Sequence, residues 1–93
     1  MDVKEAVAAA KAYVADLFAE ENVTDLGLEE VSLDDHTDQW VVTLGFARPW
    51  DRSTAGFLAA MQQASNPPRS YKVIRISDKT GEVVSLKNRD GSA

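Results

Sequence analysis

Cysteine is absent from the 93 residues, which excludes a disulfide framework, a thiolate metal site and a cysteine nucleophile. Glycine is sparse and scattered over Gly27, Gly45, Gly56, Gly81 and Gly91, so there is no glycine-rich loop to cradle a phosphate. Long apolar runs are missing too. Charges recur at Asp2, Lys4, Glu5, Lys11 and Asp16, a pattern that argues against a secretory leader or a membrane span. The expected location is the cytoplasm. No Gly-x-Ser-x-Gly elbow accompanies His36, the only histidine, so a Ser-His-Asp assembly is not expected. Glu29-Glu30 and Asp34-Asp35 are adjacent, and on a strand adjacent side chains point to opposite faces. They make a poor acid–base pair. The chain therefore reads as a non-enzyme with no catalytic residues and no cofactor.

Positive charge is in short supply. The net charge is −5 and the pI near 4.7, which disfavours wholesale nucleic-acid binding. That total hides two unlike parts. Residues 1–40 hold eleven Asp and Glu against Lys4 and Lys11, a balance of −9. Residues 41–93 hold eight Arg and Lys against four acids, a balance of +4. Either the parts neutralise each other across one sheet, or the surface is dipolar and orients a partner.

What is present is the material of one small α+β domain covering residues 1–93. Val3, Ala6, Val7, Ala10, Val14, Leu17 and Phe18 recur at spacings of three and four, which predicts a helix over 3–21. Asp2 and Glu5 have the spacing of a capping box. Four strands follow, over about 26–33, 39–47, 70–77 and 82–88. Trp40, Val42, Leu44 and Phe46 alternate with Val41, Thr43, Gly45 and Ala47. The stretch Asp34-Asp35-His36-Thr37-Asp38 joins the first two strands and reads as a solvated acidic turn rather than a metal site. Gly81 suits the second hairpin, whose loop needs a positive φ. The expected architecture is one N-terminal helix on a four-stranded antiparallel meander, cystatin-like, with a short helix or loop inserted at 48–69. Val84 and Leu86 are expected under the helix and Val83 on the opposite face.

Tyr71-Lys72-Val73-Ile74-Arg75-Ile76-Ser77-Asp78-Lys79-Thr80-Gly81-Glu82-Val83-Val84 resembles the closing hairpin of PepSY-type domains, and Trp40-Val41-Val42-Thr43-Leu44 resembles their Trp-x-Val strand. The resemblance implies a small non-enzymatic module connected with peptidase inhibition or ligand binding.

The sheet face away from the helix carries the sharper expectation. It presents Tyr71, Val73, Arg75, Lys87 and Arg89, a mixture of aromatic, apolar and basic groups suited to protein contact. Trp50 and Phe57 are candidate loop anchors. Three readings follow. The first is an interaction or inhibitory module using this face, an edge strand and the 48–68 segment. The second is a ligand-binding protein or enzyme with a pocket between helix and sheet. The third is a self-associating protein. The partner is another protein or a second copy in a homodimer, with no nucleic acid, no membrane and no metal.

Overall fold

The computed structural model describes residues 1–47 and 70–89. The expected insertion at 48–69, with Trp50 and Phe57, lies outside the described residues.

Asp2 starts the helix in extended backbone geometry. Its carboxylate accepts from the Glu5 N–H at 2.8 Å, and the Glu5 carboxylate accepts from the Asp2 N–H at 2.8 Å. This reciprocal pair satisfies two amides that the first helical turn leaves without partners. Helix α1 runs Val3–Leu17. It is shorter than the spacing predicts. The chain tightens into a single 3₁₀ turn at Ala19–Glu21 and leaves it through Asn22 at φ 52. Asparagine tolerates the left-handed region better than most residues, so the turn ends there at modest cost.

Four strands follow: β1 (Thr24–Asp34), β2 (Gln39–Ala47), β3 (Ser70–Ser77) and β4 (Val83–Asn88). They form one antiparallel sheet in the order β1-β2-β3-β4, with β1 and β4 at its edges. The expected helix-on-meander α+β arrangement is thus the one observed. Alternation puts Val42, Leu44, Phe46, Ile74 and Ile76 beneath α1, where all five are fully buried. Ala6, Ala10 and Val14 meet them from the helix and are fully buried as well. The two alanines let the helix backbone lie close to the sheet, and packing at that density tolerates little change in volume. Phe18 closes one end, with its ring centroid 5.5 Å from that of Phe46 at a 44° tilt.

Three register shifts decide which residues face the core. The first lies between Thr24 and Gly27, where Asp25 sits at φ 57. The second lies between Leu28 and Glu30. The third lies in β4, where Arg75 faces Ser85 and Ile76 faces Val83, leaving Val84 as the extra residue. This overturns the expected order for the last strand. Val83 packs on the core cluster, whereas Val84 is 53% exposed. Strict alternation through 83–87 assigns these two residues the wrong way round, because a bulge adds one residue and flips everything beyond it. The shifts in β1 place Leu26 and Val31 on the core, while Leu28 and Leu33 are each 43% exposed.

Candidate functional site

The face away from α1 can be read row by row from the registers. One row crosses all four strands as Glu30, Thr43, Val73 and Lys87. The next holds Ser32, Val41, Arg75 and Ser85. Gly45 faces Tyr71, and the Arg89 N–H donates to the Tyr71 carbonyl at 3.1 Å, which continues that row past the end of β4. The five residues expected on this face do lie on it together. Thr43 and Ala47, from the middle of the sheet, are buried.

Arg89 lies over the Tyr71 ring, with its guanidinium carbon 4.1 Å from the centroid. Val73 is half-buried between Thr43 and Lys87. Lys87, Asn88 and Ser85 join Val73 and Arg75 around a shallow depression of about 150 Å³. Lys87 and Arg89 are exposed. Positive charge therefore gathers along the β3–β4 side of this face, and Glu30 and Asp34 mark the β1 side.

Arg75 makes two side-chain contacts across the sheet. Its Nη1 reaches Asp34 Oδ2 and Gln39 Oε1, each at 3.3 Å. It thereby links the third strand to the first hairpin and is tied up in the fold itself. Asp34 is held further: its Oδ1 accepts from the His36 N–H at 3.0 Å. That bond, partial burial acting in the other direction, and the Arg75 and Thr37 side chains leave its carboxyl below the usual 3.8. The acidic turn is thus shaped by internal hydrogen bonds. Among the described residues no group of three His, Cys, Asp or Glu side chains is placed to hold a metal ion.

A second concavity lies on the helix side. Val3, Lys4, Val7, Ala8 and Lys11 form one wall and Leu28 the other, around about 440 Å³. Sequence reading missed it, because it depends on the β1 bulge that leaves Leu28 at the helix flank. The available signal was the position of Lys4 and Lys11, the only cations before residue 41, seven apart on one helix.

Among the described residues no helix is long and apolar enough to cross a membrane. Compared with protein-family models, curated proteins and solved structures, the chain matches none of them.

Proposed function

We propose that the chain is a non-catalytic protein-interaction module of the PepSY-like, cystatin-like kind, and that it engages its partner through the β3–β4 side of the face away from α1. The observation that carries this reading is the grouping of Tyr71, Val73, Lys87 and Arg89 on adjacent rows of one sheet. An apolar centre with an aromatic ring and cations around it is the composition of an interaction patch. The complementary partner surface presents a small apolar side chain for Val73 and carboxylates for Lys87 and Arg89. Arg75 contributes to this surface by holding β3 to the first hairpin.

The test is a comparison of wild type with the double variant Lys87→Glu, Arg89→Glu in affinity capture from the source cell. A protein retained by wild type and lost by the variant, with the circular dichroism unchanged, is the expected result. Equal capture by both would sink the assignment of this face.

A further inference from the structure

We infer that the trough between α1 and β1 is a second binding site, and that its occupant is an amphipathic helix of a partner carrying two carboxylates about two turns apart. This site lies on the helix side of the sheet and does not depend on the reading of the opposite face.

The floor is apolar and accessible: Val3 is 42% exposed and Leu28 43%, with Val7 and Ala8 between them. The wall follows helical spacing, with Val3 and Val7 four apart and Lys4, Ala8 and Lys11 at steps of four and three. Residues at these steps form a ridge along one flank of a helix, and a second helix packs against such a ridge with its own i, i+3 and i+4 side chains. The mouth is wide, which suits side chains inserted from outside and suits an engulfed small molecule poorly.

The charges select among helices. Lys4 and Lys11 are separated by seven residues, roughly 10 Å along the axis at 1.5 Å per residue. Among the described residues neither has an ion-pair or hydrogen-bond partner. Glu5, next to Lys4 in sequence, accepts from the Asp2 N–H in the capping box. Two cations of an otherwise acidic segment thus border its apolar trough without an ion pair among the described residues. Carboxylates at i and i+7 of a partner helix match their spacing, and apolar residues at i+3 and i+4 fall between them onto Val7 and Leu28. A second copy is disfavoured, because the only carboxylates within its α1 are Glu5 and Asp16, eleven residues apart, and no pair on that helix matches the seven-residue spacing of Lys4 and Lys11.

The experiment uses two stapled peptides of about 16 residues, long enough to hold a helix once constrained. One carries Glu at i and i+7 and Leu at i+3 and i+4; the other has Lys in place of Glu. Binding is read by fluorescence anisotropy on wild type and on the variant Lys4→Glu, Lys11→Glu. Wild type is expected to prefer the Glu peptide by roughly tenfold or more, and the variant to reverse that preference. Leu28→Asp is expected to weaken both peptides. No binding, equal binding of the two peptides, or an unreversed preference in the variant would overturn the inference. So would sedimentation showing a wild-type dimer that Leu28→Asp dissociates, or dodecanoate binding to the trough where the peptides do not.

Discussion

Arg75 reaches across β2 to Asp34, with its Nη1 3.3 Å from the Asp34 Oδ2 two strands away. The contact ties the third strand to the turn between the first two. Because the folded protein holds the Asp34 carboxyl below 3.8, the deprotonated form is favoured by folding. The stability this contributes is present above about 3.8 and is lost as pH falls through the lower folded value. A carboxyl-detected NMR titration is expected to place Asp34 below 3.8 in wild type and nearer 3.8 in Arg75→Ala. Since the His36 N–H remains in that variant, the shift is expected to shrink without vanishing. An Asp34 titration unchanged by Arg75→Ala would remove the guanidinium from the account.

The β4 bulge makes a prediction that strict alternation would reverse. Val83→Ala removes half-buried methyl groups from the core and is expected to cost about 1–2 kcal/mol. Val84→Ala is expected to stay within about 0.5 kcal/mol of wild type. Urea denaturation of the two variants checks the order. Equal losses would mean that Val84 shares the core.

The legibility of this chain in its sequence divides along the same line. Helix α1, its capping box, the order of four strands and the buried set on β2 and β3 follow from periodicity, because a spacing of two or of three and four maps directly onto a face. The bulges at Asp25, Glu29 and Val84 do not. Each inserts one residue without altering the local composition, so the pattern looks merely imperfect, as it does through Leu26, Leu28, Val31 and Leu33. The candidate surface was legible as a set of residues sharing one face. The commitment of Arg75 to Asp34 was not, since it depends on a contact between residues 41 positions apart.

Trp40 fastens the second hairpin to the first. Its indole Nε1–H donates to Asp78 Oδ1 at 2.8 Å, and the Asp78 N–H donates to the Asp38 carbonyl at 2.9 Å. Trp40→Phe keeps the apolar contact and removes the donor, and is expected to cost about 1 kcal/mol from the hydrogen bond, with a further loss for the smaller ring. Thermal unfolding of Trp40→Phe, Asp78→Ala and the double variant checks this. If the single losses simply add, the bond contributes nothing by itself.

Ala10 is fully buried where α1 crosses the sheet. Ala10→Leu adds three carbon atoms at a point with no room and is expected to destabilise by about 1–3 kcal/mol, although leucine suits a helix. A midpoint at or above that of wild type in urea would show that α1 can lift off the sheet at little cost.

Gly81 turns the second hairpin at φ +75, and a Cβ there would approach the Met1 side chain at 3.3 Å. Gly81→Ala is expected to lower stability by about 1 kcal/mol, mostly from backbone strain. Hydrogen exchange of the Ser77 and Gly81 amides, which close the turn, is expected to quicken.

The irregularity of β1 has a consequence for the molecule in crowded solution. An exposed sheet edge is a template on which other chains can add strands and begin a fibril. Here the edge is broken twice, and its longest unshifted stretch is Glu30 to Asp34, five residues with a carboxylate at each end. Stacked segments of six or seven residues with little charge are what a steric zipper requires. The strand that gives the helix flank its trough is therefore also ill-suited to seeding aggregation, and the chain keeps one side of its sheet closed to runaway growth.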